Sequence, residues 1–240
     1  SEDGTPQGSR KRAQVFADML RTNLWEKKVD REIPPLLMVI IMRRPDGSED
    51  EEWSDEEIDR VIATLPRGRS TRPNGIGYEW LQRAYATSEG RKRIRLLLRE
   101  CLRRADTPSQ FLVMHSVPAH EKGDPHCPSN YRFFAMLTAL CQTLERLVAR
   151  RISRIVEHIL RRTFHAFRMN IGVEDVLLWL RRLRERLFRS KQWSLMLLAL
   201  DFTKAFDHML RHVIEIALKS WGFQGSLLRL CVRLLQATVK

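Results

Sequence analysis

The sequence predicts an α+β fold, mostly helical, with a few short antiparallel strands. Three observations carry that expectation. Two long stretches keep a helical period. Ala139–Leu160 does so with Leu144, Leu147, Val148, Ile152, Ile155, Val156 and Ile159, and Val173–Phe188 with Val176, Leu180, Leu183 and Leu187. Two apolar runs, Phe111–Val117 and Trp193–Leu200, are too short for helices of that kind and stop at Pro118 and Asp201. The composition is globular, 43% hydrophobic and 30% charged over 240 residues, which is enough chain to bury a substantial core.

The elements follow in order. Ser1–Arg12 is polar and rich in Gly, Pro and charge, and reads as a flexible tail; a helix is expected over Ala13–Lys28. Arg43–Glu52 contains Pro-Asp-Gly and an acidic run, so it reads as a solvated loop. Ser54 with Glu57 is a capping-box pattern ahead of Ile58, Val61, Ile62 and Leu65, which starts a short helix. Leu65–Ile76 is a turn-rich basic loop. Helices are expected at Ile76–Thr87 and at Arg91–Arg104, the latter with Ile94, Leu97, Leu98 and Leu102 on one face and Arg91, Lys92, Arg95, Arg99 and Arg103 around it. Phe111–Val117 is a strand ended by Pro118. On Val173–Phe188, residues Arg181, Arg182, Arg184 and Arg186 are placed mostly outward. Two further helices, Thr203–Lys219 and Ser226–Ala237, flank the turn from Trp221 to Gly225.

Charge is unevenly distributed. The net charge is +13, yet residues 1–60 hold 10 Lys and Arg against 15 Asp and Glu, leaving 32 basic and 14 acidic residues, or +18, in the remainder. A folded segment so basic is expected to meet a polyanion, most simply nucleic acid, with an anionic membrane surface as the competing partner. No apolar run approaches the ~20 residues a spanning helix needs. Cys101, Cys127, Cys141 and Cys231 show no paired spacing, which argues against a zinc site or a disulfide framework and for a reduced, intracellular setting. No secretory signal is visible. A chain starting at Ser1 rather than Met fits a fragment or a processed product.

Three segments carry chemistry. Leu198-Ala199-Leu200-Asp201-Phe202-Thr203-Lys204-Ala205-Phe206-Asp207 places an acid at the tip of an apolar strand. A bland alternative is a core strand leading to an Asp helix cap. Glu121–Phe134 reads EKGDPHCPSNYRFF, and Phe164-His165-Ala166-Phe167-Arg168 follows later. Together these resemble the reverse transcriptases of non-LTR (LINE-type) retrotransposons. Lys122, Gly123, Asp124, Pro125, Pro128, Ser129, Asn130, Tyr131 and Arg132 agree with the family's fingers segment without a gap. In the Leu65–Ile76 loop, Gly68, Pro73, Gly75 and Ile76 agree as well.

The resemblance covers roughly residues 54–240 and implies a partial fingers–palm polymerase fold. It divides the chain into an acidic N-terminal segment (1–53), a helical extension (54–105), fingers (106–190) and the start of a palm (191–240). It implies that Asp201 is a catalytic carboxylate and, with the Phe202 carbonyl, a ligand of Mg²⁺. Two-metal polymerases need such oxygen ligands between the primer hydroxyl and the incoming phosphate. It implies that Arg132 and Lys122 hold the incoming nucleotide, a task suited to a planar, permanently charged guanidinium. Phe206 would gate the sugar sterically, and Arg168 would line the template path. A surface salt bridge is the plainer role for Arg132, and helix core the plainer role for Phe206. The implied partners are an RNA template, a DNA primer and deoxynucleoside triphosphates, with a nuclear or cytoplasmic location and no membrane.

This copy departs from the family pattern. Glu121 replaces a lysine and would repel a triphosphate if it pointed inward; Phe133 replaces a proline, and Ala166 a glycine. The sequence contains no Asp-Asp pair, the family's second acid motif, so this chain alone is expected to be inert. Two rival readings remain beside RNA-directed DNA synthesis: a non-catalytic RNA-binding module derived from such a polymerase, and a basic helical protein for membrane surfaces or protein partners.

Overall fold

The capping box is formed as its spacing predicts. The Ser54 hydroxyl accepts from the Glu57 amide (3.1 Å) and the Glu57 carboxylate accepts from the Ser54 amide (3.1 Å), which starts helix α1 (Asp55–Ala63). The computed structural model in which this is seen describes residues 14, 50–68, 74–158, 160, 164–166, 168, 170–189, 197, 199–200, 209–236 and 238–239. The expected tail, the helix at Ala13–Lys28 and the run from Trp193 through Asp207 lie outside them, isolated positions apart.

α1 buries Ile58, Val61 and Ile62. Helix α2 (Tyr78–Ala86) enters from Gly77 and buries Tyr78, Leu81 and Tyr85. Its Gln82 amide donates to the carbonyls of Ile62 (3.1 Å) and Leu65 (3.3 Å), which gives the end of α1 donor partners that its own ladder cannot supply. Helix α3 (Ser88–Arg104) begins before the expected Arg91, because Thr87 caps it by accepting from the Gly90 amide (3.1 Å). It ends on Ala105 in the left-handed region (φ 52°).

Strands β1 (Val113–His120) and β2 (Tyr131–Met136) form an antiparallel hairpin with His115 opposite Met136 and His120 opposite Tyr131. Pro118 does not end β1. The Glu121 amide donates to the Asn130 carbonyl (2.9 Å), so hydrogen-bonded pairs alternate upward from there. Pro118 and Phe133 therefore form a non-hydrogen-bonded pair, and the proline nitrogen faces the outer edge of β1, where no donor is required. Beyond the hairpin, helix α4 (Ala139–Val156) is capped by Thr138, whose hydroxyl accepts from the Cys141 amide (3.3 Å). Helix α5 (Val173–Arg189) follows; then come α6 (Arg211–Ser220), α7 (Gly225–Leu235) and the two-residue strand β3 (Thr238–Val239).

α4 is the centre of the core. Leu144, Leu147 and Val148 are buried with residues of α1, α2, α3 and α7, among them Ile58, Leu81, Leu98 and Leu227. The fold is α+β and mostly helical, as expected, with three corrections. β3 pairs with β1 in parallel (Val113–Thr238, Met114–Val239), giving the sheet order β2-β1-β3. Within the expected helix Thr203–Lys219, whose residues 203–208 lie outside the described ones, helix α6 begins at Arg211 after an extended Leu210 (ψ 125°), a break marked by neither Gly nor Pro. Residues 50–52, the described end of the expected acidic loop, are docked rather than free.

That docking uses main-chain atoms and two carboxylates, Asp50 and, at 4.0 Å from Arg99, Glu52. Asp50 accepts from the Leu227 amide (2.9 Å) at the start of α7. Gly225 sits at φ 68°, and a Cβ there would collide with the Asp50 carboxylate. The Glu51 and Glu52 carbonyls accept from the Arg151 guanidinium, which stacks over the Trp53 ring at 3.9 Å. Residues 50–57 are therefore a strap that binds α1, α4 and α7 together.

Candidate functional site

The segment carrying the strongest family agreement folds as the connection of the β1–β2 hairpin, and most of its matching residues have a local structural task. Gly123 takes φ 84°, and a Cβ there would press on the Asn130 amide. The Asp124 side chain accepts from the His126 amide (2.9 Å), and its carbonyl accepts from the Cys127 amide (3.1 Å) and the Asn130 side chain (3.0 Å). The Tyr131 hydroxyl donates to the Pro125 carbonyl (2.8 Å), and the Tyr131 ring meets His120 edge-on at 5.3 Å. The loop is thereby locked onto itself.

At its two ends this loop presents the proposed nucleotide contacts. Lys122 is exposed and has no ion-pair partner among the described residues. Arg132, opposite Ala119, is also exposed, and its Nη2 bonds Glu121 at 2.7 Å. The hairpin register brings Arg132 and Glu121 together across eleven positions of sequence. Glu121 thus takes up the Arg132 guanidinium in a surface salt bridge. Next to them on the same sheet face, Val117 and Phe134 form an exposed cross-strand pair.

The remaining candidates are elsewhere. Arg168 is largely covered (side chain 14% exposed): its Nε bonds Glu157 at 2.9 Å, Nη2 bonds the same carboxylate, and Nη1 donates to the Phe164 carbonyl (3.2 Å). The pair holds Glu157 below the usual carboxylate range. Asp201, Phe202 and Phe206 lie outside the described residues. Among the described residues no three His, Cys, Asp or Glu side chains gather to hold a metal ion. No described helix is long and apolar enough to cross a membrane.

Electrostatics divide the basic residues into two groups. One group is neutralised within the fold. Arg95 bonds Asp55 and Asp59 (2.6 Å to the latter) and receives support from the Tyr85 oxygen (2.8 Å); Arg99 bonds Asp55 (2.6 Å) and the Trp53 carbonyl (2.8 Å). Arg151, buried, and Arg154, exposed, share Glu57 at 2.6 and 2.8 Å. Burial alone would raise the Glu57 carboxyl, but the Ser54 amide, Arg154 and Arg151 outweigh it and hold the group below its ordinary value. Arg103 and Arg104 bring Glu100 down to about 2, and Arg233 lowers Asp106. The second group has no carboxylate partner among the described residues; it includes Arg182, Arg184, Arg186 and Arg189 on α5, and Arg60, Lys122, Arg146, Arg211 and Arg229 elsewhere.

The sequence reading missed Arg151, although the signal was present: it falls seven after Leu144 and three after Val148, on the apolar face of α4. Thiol chemistry is disfavoured in the core. Burial pushes Cys101 up to about 11, and Cys141 and Cys231 up to about 12, where the thiolate is scarce.

Searches against protein-family models and against curated proteins return no match.

Proposed function

We propose that the chain is the N-terminal part of a non-LTR reverse-transcriptase domain, contributing fingers and the first palm motif of an RNA-directed DNA polymerase. The observation that carries this reading is the ungapped agreement over Lys122–Arg132. Its support from the fold is that this stretch closes a hairpin whose ends expose Lys122 and Arg132. In the complete enzyme Asp201 and the Phe202 carbonyl would hold Mg²⁺, which neutralises charge on the reacting phosphates. Phe206 would lie under the sugar and reject a ribose hydroxyl by its bulk. Template contacts come from Arg168 in this reading, once the Glu157 pair opens. Alone, the chain binds nucleic acid and does not extend a primer.

The Glu121–Arg132 pair favours a second reading, a non-catalytic RNA-binding module descended from such a polymerase. Glu121→Lys separates the two. It restores a cation beside Lys122 and releases Arg132, so affinity for Mg²⁺–dTTP, measured by equilibrium dialysis, is expected to rise about tenfold through charge-assisted contacts to phosphate. Absence of dTTP binding in both the unmodified chain and the variant would remove the nucleotide-binding assignment and leave the module reading.

A further inference from the structure

α5 differs from every other long helix of the described fold. None of its side chains is buried. Its apolar line, Val176, Leu180, Leu183 and Leu187, is half-buried, as its period predicts. On another side, Trp179, Arg182, Arg186 and Arg189 recur at intervals of three, four and three residues, which aligns them along one face. All four are exposed, the indole by 52%. The line starts at Asp175, whose carboxylate is turned to the Gly172 amide (2.8 Å), so the positive charge begins after the aromatic ring. Across the helix, Arg181 pairs with Glu185 at 3.1 Å. Among the described residues, Arg182, Arg186 and Arg189 meet no carboxylate, whereas Arg95, Arg99, Arg151 and Arg154 all do.

We infer that this face of α5 is a track for single-stranded RNA; the inference rests on the reading of the chain as the RNA-binding part of a polymerase and locates one of its contacts. The three guanidiniums span about 10 Å at ~1.5 Å of helix rise per residue, which suits two or three consecutive phosphates. Trp179, at the end of the line, offers an indole face on which a base stacks regardless of its identity. Exposed arginines without internal partners can release counterions from a polyanion, a role closed to arginines already held by Asp and Glu. A membrane surface is the competing partner, because Val173, Leu177 and Phe188 beside the half-buried line are exposed; the unpaired guanidiniums and the indole share a different side of the helix, the combination that a phosphate chain with a stacked base uses.

The test uses the full chain and a fluorescent 20-nucleotide oligouridine, with anionic phosphatidylserine vesicles as the competing probe. Arg182→Gln/Arg186→Gln/Arg189→Gln is expected to weaken oligouridine binding at least tenfold and to flatten the log–log salt dependence by about two, at ~0.7 for each phosphate no longer neutralised. Trp179→Ala is expected to weaken binding about tenfold while leaving the salt slope unchanged, since it removes stacking and not charge. The corresponding triple Lys variant should keep most of the salt slope, which shows that charge and not helix integrity is being read. If the Gln variant binds oligouridine as tightly as the unmodified chain, the α5 track is wrong while the wider RNA-binding reading survives. If the unmodified chain binds no oligouridine, both fall. Vesicle binding that the Gln variant abolishes, with oligouridine affinity unmoved, would reassign the face to membranes.

Discussion

The strap at residues 50–57 and helix α5 are both charged, and they use charge in opposite ways. Around the strap, acidic and basic groups are matched at short range. Glu57 serves Ser54, Arg151 and Arg154; Asp55 serves Arg95 and Arg99; Asp50 serves the first turn of α7. Along α5 the arginines project outward, and only Arg181 has a carboxylate partner among the described residues. A count of +18 beyond residue 60 therefore overstates the cationic surface. Part of that charge holds α1, α3 and α4 together, and of what remains α5 carries Arg182, Arg184, Arg186 and Arg189 in one helix, beside scattered exposed cations such as Arg60, Lys122 and Arg146.

This contrast can be broken where it is strongest. Arg151→Ala strips the strap of its anchor, leaving the Glu51 and Glu52 carbonyls without their cation and Glu57 with the exposed Arg154 alone. The expected loss is about 3–5 kcal/mol of stability in urea titration, the cost of orphaning a buried ion pair. A loss within error would mean that the strap is held by Trp53 packing alone. Glu57→Gln is gentler, because the amide can still cap Ser54; about 1–2 kcal/mol is expected at neutral pH.

The same residue sharpens the comparison through pH. Glu57 has a depressed value in the folded state, so its contribution is fully present above the ordinary carboxylate range and is lost as pH falls through the folded value. Stability of the unmodified chain should decline as pH falls below about 4, and Glu57→Gln should make that decline shallower. An unchanged slope would show that Glu57 carries no linkage. Smallest of all is the effect expected on α5. Arg182→Gln/Arg186→Gln/Arg189→Gln should alter stability by less than about 0.5 kcal/mol, as exposed side chains without partners do. A larger loss would show that these arginines hold the fold together, as those around the strap do.

Legibility followed the range of the interactions. The α1 cap, the faces of α4 and α5, and the strand nature of β1 were readable, because each depends on residues a few positions apart. β2 was not. Tyr131–Met136 lacks clean alternation, and its strand state depends on pairing with β1 through the turn held by Gly123 and Asn130. The parallel pairing of β3 joins residues more than a hundred positions apart, and no local pattern marks it. In the candidate site, the exposure of Lys122 follows from its place in a turn-rich loop, which is local information. The Arg132–Glu121 pair became visible only with the hairpin register, and Arg151 was hidden because an arginine on an apolar face is discounted unless its carboxylate is known.

Pro118, expected as a stop, proves to be an interior residue of β1, with a consequence for self-association. Past Met114 the outer edge of β1 has no strand beside it among the described residues, and edges of that kind recruit strands from other molecules. The proline ring sits midway along this stretch with its nitrogen turned outward. An incoming strand would find one donor missing and a ring in its path. The residue that looked like an interruption of the sheet thus limits its growth, and it protects the hairpin from aggregation at the edge left open beside its exposed Val117–Phe134 pair.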